Sequence, residues 1–268
     1  MKLSERMIKA GWNIVLGRDG SYTVHASKAR KCTFSTDTGR WSVPLEKLEQ
    51  ALETDLEQIK AKDLSPMITA SKLTALAHTK QSSQPIRLLC KEGLVIDRTV
   101  LHLGVGREYV AREDLLAAGA RKVADYDPNF YPDEQVLDAV YDVIVASYVL
   151  NILPPDERNG VYRCIERCLK PGGKAYLTVQ GVWPVENKYD IIGRYKDGYL
   201  IKTGCNTTFR KGYESEHFLE EIRQKLGGKP AVLKMFYSNT LAVWIRPAVT
   251  GKDELAVQSS PDPGKPLW

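Results

Sequence analysis

Residues 100–108 read V-L-H-L-G-V-G-R-E, an apolar run that ends in two glycines one residue apart, Gly104 and Gly106. A glycine turn between a strand and a helix lets the backbone approach a ligand closely and aims the helix N–H groups at it. The residues that follow narrow the ligand. A nicotinamide or flavin site needs the third glycine of G-x-G-x-x-G, and Tyr109 stands there instead. A phosphate-cradling P-loop needs Gly-Lys-Ser/Thr, and that too is absent.

With pyrophosphate ligands disfavoured, S-adenosylmethionine is the expected cofactor, because it carries no phosphate. The second acidic signal agrees. K-V-A-D-Y-D-P-N-F ends in Asp127 and Pro128, about twenty residues past the glycines, where a carboxylate at a strand tip can accept both ribose hydroxyls of a nucleoside. Asp125 lies on the same side of the strand, but Asp127 is nearer its open end. The competing use of Asp127 is an Asp-Pro turn.

These residues require a scaffold of alternating strands and helices. Strands are expected at 99–103, 121–126, 141–147 and 174–180, and helices at 107–118, 155–169 and 215–226, which implies a parallel sheet covered on both faces. Ser83 is placed to cap a helix that has Pro85 in its first turn and Gly93 at its end. K-P-G-G at 170–173 reads as a sharp turn into K-A-Y-L-T-V-Q. A-V-L-K-M-F-Y and T-L-A-V-W-I-R read as an antiparallel hairpin at one sheet edge.

Ahead of this, residues 1–62 read as a small α+β module. W-N-I-V-L and S-Y-T-V-H flank G-R-D-G, K-C-T-F-S and W-S-V-P flank T-D-T-G-R, and a leucine stripe marks a helix over 44–62. A linker is expected at 63–82, the sheet domain at 83–249 and a Pro/Ser/Gly-rich flexible tail at 250–268.

The chain has 268 residues, 43% of them hydrophobic and 26% charged, as in an ordinary globular protein. No apolar stretch is long enough to span a membrane, and the charged N-terminus excludes a secretory leader. The five cysteines lack C-x-x-C spacing, so no metal site is expected; Cys164 and Cys168 should be buried thiols, in a cytoplasmic setting. The net charge is +5, and residues 1–44 hold eight Lys/Arg against three Asp/Glu. That patch can attract a nucleic acid, or it is a solvated surface.

The ordered set is more specific than the glycines alone. Y-D-V-I-V-A-S-Y-V-L-N-I-L-P-P-D-E-R-N followed by C-L-K-P-G-G-K-A-Y-L-T-V resembles class I S-adenosylmethionine-dependent methyltransferases over residues 84–247. The resemblance implies a Rossmann-like, doubly wound, mostly parallel sheet of seven strands. A narrower set looks like the methyltransferases associated with DNA phosphorothioation: S-S-Q-P-I-R-L-L-C-K-E-G-L, D-Y-D-P-N-F-Y-P, A-S-Y-V-L-N-I-L-P-P-D-E-R and D-G-Y-L-I-K-T-G-C-N-T-T-F-R-K-G-Y. It implies a DNA-modification setting. That family also compresses the segment between its second and fourth strands.

The loop departs from the family pattern by having His102 in place of an acid and Glu108 in place of the third glycine. His102 serves the cofactor's methionine end only as a neutral acceptor, or else it is a core residue. Glu108 favours the helix dipole but crowds the cofactor. The resemblance places Ser147, Tyr148 and Asn151 at the methyl group, with Asn151 or Tyr148 at the acceptor. Asn151 is followed by Ile-Leu rather than Pro-Pro-aromatic, which argues against the common base-amino chemistry, and no Pro-Cys pair exists for carbon-5 cytosine chemistry.

The stretch 181–212 is long for a connection and mixes aromatic with basic residues. Trp183, Arg194, Tyr195, Phe209, Arg210 and Lys211 are the substrate-contact candidates, suited to stacked bases and phosphates, unless the aromatics are simply core. The expected activity is methyl transfer to a nucleic acid or nucleotide-like substrate. A small-molecule methyltransferase and a cofactor-binding protein without catalysis are the alternatives.

Overall fold

The computed structural model describes residues 72–203 and 206–248, with the backbone of 13–16, 22–25 and 40–43. The expected helix over 44–62, the strand K-C-T-F-S, the first part of the linker (63–71) and the tail lie outside the described residues. The chain divides into two compact units: residues 1–74 with 182–212, and residues 75–181 with 213–268.

In chain order, β1 (Asn13–Leu16), β2 (Tyr22–His25) and β3 (Arg40–Val43) form an antiparallel sheet. Helix α1 (Gln84–Lys91) is followed by β4 (Thr99–Leu103), α2 (Ala111–Ala117), β5 (Lys122–Tyr126), β6 (Tyr141–Ser147), α3 (Pro155–Cys168) and β7 (Leu169–Val179). Helix α4 (Val182–Lys188) leads into β8 (Ile191–Tyr195), β9 (Gly198–Thr203) and β10 (Asn206–Arg210), a second antiparallel sheet. Helix α5 (Ser215–Leu226) and the hairpin β11 (Ala231–Phe236) and β12 (Asn239–Ile245) complete the second unit.

The central sheet has the order β11-β12-β7-β6-β4-β5. Strands β5, β4, β6 and β7 are parallel, while β12 runs antiparallel to both β7 and β11. This is a doubly wound, Rossmann-like α/β sheet. Alternation along the strands divides the core in two. Val100, Val123, Val143 and Val145 face Ile86 and Leu89 of α1 and Ala111 and Leu115 of α2. Leu101, Leu103, Ile144, Ala146 and Leu177 face Ile165 of α3 and Phe218 and Ile222 of α5. Covered on both sides, β6 reads as the unbroken apolar run V-I-V-A.

The structure corrects four expectations. The sheet has six strands, not seven, among the described residues: between β5 and β6 there is only a 3-10 turn, Glu134–Asp138, capped by Asp133. A parallel crossover consumes about a dozen residues, so the short connection holds one crossover and no further strand. Helix α2 starts at Ala111 rather than 107, because residues 107–109 pair with His78 instead: His78 N donates to Arg107 O and Tyr109 N to His78 O. K-P-G-G is not a turn ahead of β7 but lies within it, at a register shift where Gly172 adopts φ +76° and its N–H donates to Arg246 O. Ser83 precedes α1 as expected, but its side chain makes no capping bond.

Cys164 and Cys168 are buried on one face of α3, with their sulfurs 3.9 Å apart. No helix of the described residues is long and apolar enough to cross a membrane.

Candidate functional site

The sheet defines where a ligand can bind. From β4 the chain winds to β5 on one side, then crosses back to β6 on the other, so the strand order reverses beside β4. In open α/β sheets the crevice outside the carboxyl ends of the strands at this reversal is the ligand site. The end of β4 carries the glycine turn, and the end of β6 carries Ser147 and Tyr148.

Gly104 and Gly106 both take positive φ, +72° and +59°. Gly104 N donates to Tyr126 O at 2.7 Å, tying the turn to the tip of β5. A Cβ at Gly104 would overlap Val149, so close packing against the loop after β6 already demands glycine there. Gly106 N donates to Asp127 Oδ2 at 2.9 Å, while Asp127 Oδ1 accepts from Asn129 N at 2.8 Å and Phe130 N at 3.1 Å. Asp127 is thus buried and braces the glycine turn against its own loop, where Pro128 is exposed. A carboxylate has about four lone-pair sites, so about one remains for a ligand. Asp127 thus makes the Asp-Pro turn and holds the glycine turn at the same time.

His102 is fully buried between two carboxylates and bonded to neither: Nε2 is 3.9 Å from Glu108 Oε2 and Nδ1 is 4.0 Å from Asp125 Oδ1. Asp125 Oδ2 is 3.4 Å from Arg112. Glu108 is only 7% exposed, and its Oε1 accepts from Ser83 N at 2.5 Å. Ser82 N donates to Asp114 at 3.3 Å. Among the described residues no lysine or arginine pairs with Glu108 or Asp127. Two buried acids thus flank the glycine turn, and the turn's own Arg107 is exposed.

At the end of β6, Tyr148 takes φ +62°, a strained conformation for a bulky residue, held by its N–H to Thr178 O at 2.8 Å. Burial pushes the Tyr148 phenol pKa up, partly countered by Asn239, whose Nδ2 donates to the hydroxyl at 3.4 Å. Asn239 Oδ1 accepts from Gly181 N at 3.3 Å, which fixes the amide's orientation. Asn151 is fully buried in the 3-10 turn Leu150–Ile152; its Nδ2 donates to Gln180 Oε1 at 3.4 Å. Asn151 Oδ1, Ser147 Oγ and Thr178 Oγ1 are buried without hydrogen-bond partners. Sequence reading missed Asn239, Gln180 and Thr178. The only signal for Asn239 was its position between the two apolar runs of the hairpin.

The insert candidates lie on helix α4 and strands β8 and β10, with Lys211 just past the end of β10. Phe209 is in the insert's own small core, edge-on to Tyr195 at 6.4 Å, so it is not a surface contact. Trp183 is 59% exposed with Lys188 Nζ over its ring. Arg194 lies over Tyr199, Lys196 over Tyr195 and Arg210 over Tyr189, the last at 4.3 Å. Lys211 pairs with Asp197 at 2.8 Å. Burial, and then the Glu186 carboxylate that accepts its hydrogen bond, push the Tyr199 phenol up to about 12.

No family model matches the sequence, and no curated protein matches it. Similar solved structures include the 1,6-didemethyltoxoflavin-N1-methyltransferase of Burkholderia thailandensis, bound to 1,6-didemethyltoxoflavin and S-adenosylhomocysteine. It is 12% identical, with 88% of this chain and 99% of that one covered and a TM-score of 0.43. An S-adenosylmethionine-dependent methyltransferase of Bacteroides fragilis, in complex with S-adenosyl-L-homocysteine, is 14% identical over 82% of this chain and 90% of that one, TM-score 0.45. Another from Clostridium acetobutylicum is 12% identical over 74% and 99%, TM-score 0.40.

Proposed function

We propose that this chain transfers a methyl group from S-adenosylmethionine to a nucleic acid or nucleotide-like acceptor. The observation that carries the reading is the pair of buried acids at the glycine turn. Glu108 and Asp127 are buried there without a lysine or arginine partner among the described residues. Such a turn repels a pyrophosphate and favours a cationic nucleoside. The orphaned Ser147 Oγ and Asn151 Oδ1, and the strained Tyr148, mark the neighbouring strand end as a place where polar groups await a ligand.

The donor, when bound, supplies an activated sulfonium methyl, so the chain's tasks are alignment and handling one proton. Asp127 keeps a lone pair for a ribose hydroxyl. Tyr148, whose phenol burial pushes further up from its ordinary value, acts as a hydrogen-bond donor and not as a base. With Asn239 donating to its oxygen, its own proton is left to point at the acceptor. Asn151 Oδ1 or Ser147 Oγ can accept a hydrogen bond from the acceptor and orient it, while the proton itself leaves to water, since neither group is a base.

The acceptor class is read from the insert. Four cation–aromatic pairs within about thirty residues, at Trp183, Tyr195, Tyr199 and Tyr189, exceed the usual frequency of about one per 70–80 residues. Cations fixed over rings suit phosphates. A DNA-modification role, by the narrower sequence resemblance, is the most specific form of this reading.

Calorimetry with S-adenosylmethionine and S-adenosylhomocysteine tests the cofactor, and transfer of labelled methyl to DNA, RNA and mononucleotides tests the acceptor. Absence of binding at millimolar concentration overturns the enzymatic reading. Transfer confined to uncharged small molecules overturns the acceptor class.

A further inference from the structure

We propose that residues 254–258, E-L-A-V-Q, add to the open edge of the central sheet as a strand parallel to β5. Among the described residues β5 pairs with β4 alone, in an unbroken register from Lys122 to Tyr126. An edge strand presents a row of unpaired N–H and C=O groups. A cleft of about 700 Å³ lies there, lined by residues 122–125 of β5 and by Tyr131, Pro132 and Val136 of the loop that follows.

The loop itself does not supply the neighbour. Tyr131 N donates to Asp127 O at 2.9 Å and Asp127 N to Tyr131 O at 3.1 Å, which closes the end of the edge nearest the glycine turn. The next residue, Pro132, has no N–H with which to continue along β5. The opposite edge of the sheet is guarded. Strand β11 has a register shift between Val232 and Lys234, and that lysine is exposed, two features that discourage a further strand.

Reach, pattern and charge select the occupant. One row of paired residues crosses the sheet: Ile245, Lys174, Val143, Val100 and Val123. The chain therefore leaves β12 level with the start of β5, where Arg246 N donates to Gly173 O. From β12 the slot outside β5 is five strand spacings away by the strand order, about 24 Å. Glu254, eight residues past Arg246, is reached by about 26 Å of extended chain. The segment then enters at Lys122 and runs in the direction of β5. Its five residues match the five of β5, and Ser259, Ser260 and Pro261 end the apolar pattern. In that register Leu255 and Val257 fall on the side of Val123, the layer of Ala111 and Leu115. Asp253 and Glu254 meet Lys122, which is exposed at the entrance.

Two measurements on the full chain test this. Lys122→Cys combined with Glu254→Cys should form a disulfide within one chain on mild oxidation, identified by peptide mapping of the monomer. Lys234→Cys with Glu254→Cys, at the guarded edge, should give at most about a tenth of that yield, because the two positions lie too far apart. In hydrogen exchange, the amides of Leu255 and Gln258 should exchange at least about tenfold more slowly in the wild-type chain than in the double variant Ala256→Pro, Val257→Pro. Successive N–H groups of a strand point to opposite sides, so one of the two prolines necessarily removes a bond to β5. Protection of the β6 amides reports that the sheet stays folded in the double variant. A bond from 122 to 254 found only between two chains overturns the proposal in favour of a second copy. Equal crosslinking at both edges, no crosslinking at either, or equal exchange in the wild-type and double-variant chains overturns it outright.

Discussion

Replacing Asp127 probes the brace on which the site depends. The carboxylate receives N–H groups from Gly106, Asn129 and Phe130, and Gly106 is buried. Asp127→Asn keeps one oxygen, which can still accept from Asn129 and Phe130. Its amide nitrogen then opposes Gly106 N–H, donor against donor. Leaving that one buried donor unsatisfied should cost about 1–3 kcal/mol. Asp127→Ala strands all three donors, of which those of Asn129 and Phe130 are nearer water, so the expected cost is about 2–4 kcal/mol. Urea denaturation should show midpoints falling in the order wild type, Asn, Ala at unchanged slope, since the unfolded surface is the same. Affinity for S-adenosylhomocysteine should drop by about 1–3 kcal/mol in Asp127→Ala, or about five- to 150-fold. Wild-type stability in Asp127→Asn would refute the brace, and unchanged affinity in Asp127→Ala would refute the ribose contact.

Three other outcomes follow from the structure. Glu221 gathers Arg158, Tyr162 and Tyr213 on one oxygen, and Arg158 is buried, so Glu221→Gln should cost about 3 kcal/mol or more, read by thermal melting. Burial raises the Asp142 pKa, but Lys170 and the Thr99 donors outweigh it and hold the carboxyl well below its usual value. A depressed folded pKa gives stability that is full above the unfolded value of about 4 and lost as pH falls below it, so Asp142→Asn should flatten the acid limb of the stability–pH curve. Asn239→Ala removes the bond that lowers the Tyr148 phenol, so ultraviolet titration should show that phenol moving further up.

The legible parts of the fold were those fixed by local chemistry. Strand β6 runs over 141–147 as its apolar run indicates, and α5 over 215–226 as its periodicity does. Pro155 opens α3, and the hairpin forms around Tyr237 and Ser238. Where the reading failed, a distant partner had intervened. His78 took the backbone groups that would have begun α2 at 107, and Arg246 paired with Gly172 and Gly173 to draw K-P-G-G into β7.

The candidate site shows the same division. Gly104, Gly106 and Asp127 are recognisable by type and spacing because a tight turn and a strand-tip carboxylate are local requirements. Their direct bond, 21 residues apart, belongs to the fold. The amide of Asn239 reaches Tyr148 across 91 residues, and no periodicity or motif encodes that meeting. Glu108 looked from sequence like an obstruction in a glycine position; packing turned it into a buried acid that holds the Ser83 N–H ahead of α1. Sequence by itself determined the elements and the polarity of the turn, since those depend on residues a few positions apart. Only the tertiary structure decided which acids are buried and which backbone groups they hold, because that depends on partners the chain brings together from separate strands.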